Sequence, residues 1–151
     1  MPAVPICGPR VRAIAASRRR LYLSAMTGNP RLKIKIQLHC AEEIAMGPGK
    51  ADLLEAIRAE GSISAAARAM DMSYRRAWLL VDAMNRCWTE PLVHTAPGRS
   101  RTSGAHLTQM GERVLALYRS LQQRLSAAAA GPELKAFEAS ILPAPRENQR
   151  N

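Results

Sequence analysis

Aromatic side chains are scarce. The 151-residue chain has one phenylalanine, two tryptophans and three tyrosines, 4% in all. Apolar residues still reach 47%, enough for a packed core, but much of that share is alanine. Such a core has to be helical and thin. Cysteine is equally sparse. Cys7, Cys40 and Cys87 are too few and too scattered for a disulfide framework or a CxxC metal site. An odd count without an export signal points to a reducing cytoplasm. Cys40 and Cys87 read as small core or surface residues, and nothing in the sequence marks either as a low-pKa redox thiol. No run approaches the ~20 apolar residues of a membrane span.

The residues that catalysis needs are also missing as constellations. Glu42 and Glu43 are adjacent and cannot share one helix face. No Ser/His/Asp or Cys/His arrangement stands out. Gly47-Pro48-Gly49-Lys50 lacks the first glycine and the following Ser or Thr of a P-loop. No enzyme, metal site or cofactor is expected.

Acidic residues are outnumbered, 12 to 22, for a net charge of +10. That balance suggests a polyanionic partner. Its distribution is uneven: residues 1–25 hold five arginines and no acid, and residues 26–151 carry 17 basic and 12 acidic side chains. The body is moderately basic, as suits a domain with one DNA-facing side. Residues 1–30 read as a basic, disordered leader. Met26 can serve as the true start, and a transit peptide or a basic arm adding phosphate contacts are the other readings.

What is present is concentrated in residues 61–85, GSISAAARAMDMSYRRAWLLVDAMN. Gly61-Ser62 leads into an alanine-rich helix that Asp71-Met72 interrupts. Ser73 restarts a second helix with Tyr74, Arg75 and Arg76 in its first turn. A slim helix, a short turn and a capped helix with cations at its start spell a helix-turn-helix. Before it, Leu32, Ile34, Ile36 and Leu38 alternate with Lys33, Lys35 and Gln37, which predicts a half-buried strand. A helix follows Gly47-Pro48-Gly49, with Leu53, Leu54, Ala56 and Ile57 as its stripe. In the second helix of the pair, Ala77, Leu80, Val81 and Met84 should face the core.

Further on, Leu92 to Thr95 and Ala105 to Leu107 predict two short strands. Between them a Gly-bracketed loop carries Arg99, Ser100 and Arg101, the wing of a winged helix. His39, His94 and His106 lack HxxxH or HxH spacing and read as strand or wing residues, not ligands. Thr108 should cap a long helix reaching about Ala130, with Val114, Leu115, Leu117, Tyr118, Leu121 and Leu125 on a broad apolar face. The fold class expected is mainly α with a small β-hairpin: a winged helix-turn-helix over 31–130 with a long C-terminal helix, then a short helix and frayed tail at 131–151.

GSIS at 61–64, SYRRAW at 73–78, DAMN at 82–85 and the LT..G pattern at 107–111 carry a resemblance. Over about residues 31–125 the chain resembles the N-terminal winged-helix domain of ModE-type molybdate-responsive transcription regulators. The "GS..AAA…S" opening is also similar to LysR-type DNA-binding domains. The resemblance implies a homodimer on a palindromic operator, with the long helix in the dimer interface. It implies DNA-binding positions at Ser73, Tyr74, Arg75, Arg76 and Trp78, with Gly98, Arg99, Ser100, Arg101 and Gly104 in the wing. The wing GRSRTSGA has less glycine than the family's loops. Full-length members carry C-terminal oxyanion-binding domains, which this chain is expected to lack. It looks like a stand-alone DNA-binding member, with any effector or oxyanion-sensing partner still to be identified.

The residues leave some roles open. Arg75 and Arg76 can pair with guanine edges or phosphates. Tyr74 suits phosphate contact or packing, and Trp78 either packs under the wing or reads a base. Arg99 and Arg101 suit phosphate or minor groove. The function expected is a sequence-specific, cytoplasmic, nucleoid-associated regulator that binds double-stranded DNA. The alternative is a winged-helix module for protein interaction or nonspecific nucleoid-type binding.

Overall fold

The computed structural model describes residues 32–96 and 104–146. In chain order the elements are β1 (Leu38–Cys40), β2 (Glu43–Met46), α1 (Pro48–Glu60), α2 (Ile63–Ala69), α3 (Tyr74–Arg86), β3 (Val93–Ala96), β4 (Gly104–Leu107), α4 (Gln109–Ala128) and α5 (Pro132–Ser140). The fold is mainly α. β1–β2 and β3–β4 are separate antiparallel hairpins, and β3–β4 sits between α3 and the long α4, as a winged helix requires. No helix among the described residues is long and apolar enough to cross a membrane.

The N-terminal strand differs from expectation. Leu32, Ile34 and Ile36 are half-buried while Lys33, Lys35 and Gln37 are exposed, so the alternation holds, but residues 32–37 join no ladder. Pairing begins at Leu38 because the partner β2, which the sequence pattern did not announce, is only four residues long. The turn between them places Ala41 at φ 51°. A bulge between Leu38 and His39 shifts the register, and Leu38 ends up exposed rather than in the core. The segment is held instead by Tyr118, whose hydroxyl donates to the Ile36 carbonyl at 2.8 Å. Burial pushes that phenol up to about 12.

Pro48 opens α1, where a missing N–H costs nothing. Lys50, in its first turn, is buried and donates to the Ile44 carbonyl. Gly61 ends the helix at φ 69° and returns its N–H to the Ile57 carbonyl at 2.8 Å. Ser62 then caps α2, accepting from the Ala65 N–H at 3.1 Å. The core joins Leu53, Leu54 and Ile57 of α1, Ala66 and Ala67 of α2, Val81 and Met84 of α3, Leu92, and Leu115 of α4. Alanine in α2 lets its neighbours pack closely, and the interior is aliphatic apart from the buried ring of Tyr118.

Two backbone approaches fix where the hairpin sits. The Gly61 carbonyl accepts the Ala105 N–H at 2.9 Å, and a Cβ on Gly104 would stand 2.5 Å from that same oxygen. The Thr108 N–H donates to the Leu92 carbonyl at 2.9 Å, and a Cβ on Gly111 would overlap that carbonyl. The LT..G pattern therefore has a steric reason. Thr108 caps α4 by accepting from the Gly111 N–H at 3.0 Å, and Gly111 leaves room for the strand to pass.

A charged cluster clamps α4 to α1. The Arg119 guanidinium donates to both carboxylate oxygens of Glu55 at 2.8 Å, to Asp52 at 2.6 Å and to Gln122 at 2.8 Å. Burial raises the Asp52 pKa despite Arg119 beside it. For Arg119 burial works downward, but its bonds to Glu55 and Asp52 hold it above the ordinary value.

Candidate nucleic-acid interface

The helix pair α2–α3 positions the candidate residues. Ala66 and Ala67 are buried. The turn between the helices bends through Asp71 at φ 56°, a left-handed position that aspartate tolerates. The Met70 N–H bonds to the Ala66 carbonyl at 3.0 Å and the Met72 N–H to the Ala67 carbonyl at 3.0 Å. Chain direction changes within these residues without leaving these two amides unmade. Ser73 then caps α3, its hydroxyl accepting from the Arg76 N–H at 3.2 Å.

Ala77, Val81 and Met84 are buried, and Leu80 is half-buried against the core. The opposite side of α3 therefore faces out. Tyr74, Arg75 and Arg76 are exposed in its first turn, and no acid accompanies them there. Among the described residues neither arginine is held in an ion pair, in contrast to Arg86, which binds Asp82 at 2.9 Å. Trp78 is 47% exposed, so it is not a member of the core cluster. Of the other candidates, Arg99, Ser100 and Arg101 lie outside the described residues, as does Gly98.

Two residues were missed. Leu79 is 55% exposed on the same outward side, one turn beyond Arg75. The core positions Ala77, Val81 and Met84 were enough to place it there by helical period. Asn85 is the other. Its Oδ1 accepts the Leu92 N–H at 2.9 Å and the Val93 N–H at 3.0 Å, and its Nδ2 donates to the Val93 carbonyl at 2.9 Å. Asn85 thereby locks the first wing strand to α3. No sequence period reveals this, because the partner is backbone.

Other sparse residues turn out to be neighbours. The Cys87 thiol is pushed up, first by burial and then by the adjacent Cys40 thiol, which weakens any redox reading. His94 and His106, which looked unrelated by spacing, face each other across β3–β4 with ring centroids 5.1 Å apart.

No family model matches the chain. It is 42% identical over 78 residues to the molybdenum transport protein ModE of Azotobacter vinelandii, covering 52% of this chain and 29% of that protein. It is 41% identical over 102 residues to the molybdenum-pterin-binding protein MopB of Rhodobacter capsulatus, 68% of this chain and 36% of that one. The chain is related to the ModE and Mop proteins. A third relative, the DNA-binding transcriptional dual regulator ModE of Escherichia coli (strain K12), is 34% identical over 91 residues, 60% of this chain and 35% of that one. The chain spans about a third of the length of these ModE and Mop relatives. None of the three descriptions is of an enzyme.

Proposed function

We propose that the chain is a sequence-specific DNA-binding transcription regulator of the winged-helix type. The observation that carries this is the start of α3. Two exposed arginines stand where the helix already presents partial positive charge, with no first-turn acid to offset them. That arrangement works against helix stability and suits an anion arriving from outside. In the proposed complex the N-terminal half of α3 enters the major groove. Arg75 and Arg76 reach base edges, Tyr74 and the Ser73 end of the helix face phosphate, and Trp78 and Leu79 supply apolar contact. Arg99 and Arg101 anchor the wing to the backbone. The description of the Escherichia coli relative as a DNA-binding regulator supports the reading.

The regulator is proposed to act as a homodimer. Leu117, Leu121 and Leu125 form an exposed stripe along α4, and Phe137 is exposed on α5. A second copy related by a two-fold axis would cover that stripe and place two α3 helices about 34–36 Å apart, one DNA turn. The molybdenum named in two relatives' descriptions supports molybdenum supply as the regulated circuit, with an oxyanion-sensing partner or further domain as the sensor.

Selection of bound duplexes from a random library, followed by competition, tests the proposal. A specific regulator holds its selected site about 10³–10⁷-fold more tightly than random DNA. Equal affinity for both would overturn specific regulation and leave a nonspecific binder, and no binding to either would leave a protein-interaction module.

A further inference from the structure

The histidines of the wing hairpin offer a site of a different kind. In the β3–β4 register Val93 opposes Leu107, His94 opposes His106, Thr95 opposes Ala105 and Ala96 opposes Gly104. Val93 and Ala105 are buried, so that side of the hairpin meets the core. Alternation turns His94 and His106 to the other side, where both are exposed. Their rings lie 5.1 Å apart between centroids, with planes tilted by 36°. The centroid separation is compatible with one ion shared by a nitrogen of each ring. An ion about 2.0–2.1 Å from one nitrogen of each ring sits about 3.2 Å from each centroid, and a tetrahedral angle at the ion then puts the centroids about 5.2 Å apart.

We propose that His94 and His106 form a two-imidazole chelate for a divalent late transition-metal ion such as Zn²⁺ or Ni²⁺, with water at the remaining positions. Imidazole nitrogen suits these ions, whereas Mg²⁺ and Ca²⁺ prefer oxygen. Both ligands come from one paired hairpin, so binding requires little reorganisation of the backbone. Among the described residues no cluster of three or more His, Cys, Asp or Glu side chains is present, so the site is open to solvent and exchangeable. Its occupancy adds positive charge to the outer side of the hairpin. The proposal stands independently of the DNA-binding reading, because it concerns the free protein.

The test is titration of the full chain with Zn²⁺ at about pH 7.5, with histidine ring-proton resonances followed by NMR. One equivalent should move the His94 and His106 signals together and leave His39 unchanged, while Mg²⁺ moves none. Substituting His94→Gln or His106→Gln should each weaken Zn²⁺ binding about tenfold or more, since the second preplaced ligand is lost. Cys40→Ser/Cys87→Ser should keep the site. Equal movement of all three histidines, or binding lost in the serine variant and kept in His94→Gln, would overturn the proposal. The wild-type spectra decide the matter even where a variant folds poorly.

Discussion

Replacing Asn85 by alanine would remove three hydrogen bonds to two consecutive backbone residues. Oδ1 holds the Leu92 and Val93 N–H groups, and Nδ2 holds the Val93 carbonyl. Leu92 and Val93 are both buried, so water cannot readily replace the lost partner. A net hydrogen bond contributes about 0.5–1.5 kcal/mol, and a buried group left unpaired costs about 1–3 kcal/mol. Three such losses, partly relieved by the half-exposed position of Asn85 itself, give about 2–4 kcal/mol. For a domain of this size that lowers Tm by about 10–20 °C. Asn85→Asp keeps the acceptor for the two N–H groups but turns an oxygen toward the Val93 carbonyl, so it should fall between wild type and alanine. Thermal unfolding followed by circular dichroism measures the total. Amide hydrogen exchange localises it, and Leu92 and Val93 should lose protection before the core of α1. A cost below about 0.5 kcal/mol with unchanged exchange at those two amides would refute the claim that Asn85 fastens the wing.

Other substitutions test the proposed DNA interface and the remaining contacts of the fold. Arg75→Ala or Arg76→Ala should cost about 1–3 kcal/mol on selected DNA and less on random DNA. Arg99→Ala and Arg101→Ala should weaken both and lower the salt slope by about one unit each; competition at several salt concentrations separates the two patterns. Gly111→Ala forces a methyl into the Leu92 carbonyl and should destabilise by about 1–3 kcal/mol or more, measured by urea unfolding. Arg119→Met leaves Asp52 and Glu55 facing each other without a cation and should cost about 2–4 kcal/mol, somewhat below a fully buried pair. Asp52→Asn should cost under about 1 kcal/mol near neutrality, because Arg119 keeps Glu55. Its pKa is raised by folding, so Asp52 favours the folded state below the unfolded value of 3.8 and loses that contribution as pH rises through the folded value. Stability curves against pH should show this loss in wild type and not in Asp52→Asn. Leu121→Asp with Leu125→Asp should convert the proposed dimer to monomer by light scattering, and a wild-type chain that is monomeric with and without DNA would remove the dimer from the proposal.

Local chemistry made most of the elements readable. Gly61, Ser62, Ser73 and Thr108 start or stop helices through bonds that span only a few residues, so these ends and the helix pair follow from sequence alone, whereas α1 begins at Pro48 itself and not after Gly49. The apolar period of α3 likewise separates Ala77, Val81 and Met84 from the arginines without reference to the rest of the chain. The outward placement of the candidate residues on α3 is legible for the same reason, and the same period puts Leu79 beside them. Long-range partners were not legible. The alternation at 32–37 specified which side chains turn inward, but β2 is too short to pair with that stretch, and Tyr118 captures it instead. Asn85, Gly104 and Gly111 stand in stretches that the resemblance marks, but each answers to a backbone group outside its own element, which no local pattern names. His94 and His106 become neighbours only through the register of β3–β4. Sequence by itself determined the helices, their caps and the outward cations, since those depend on contacts within a few residues. The tertiary structure alone decided which distant carbonyls, carboxylates and rings meet, because that depends on how the paired elements are brought together in space.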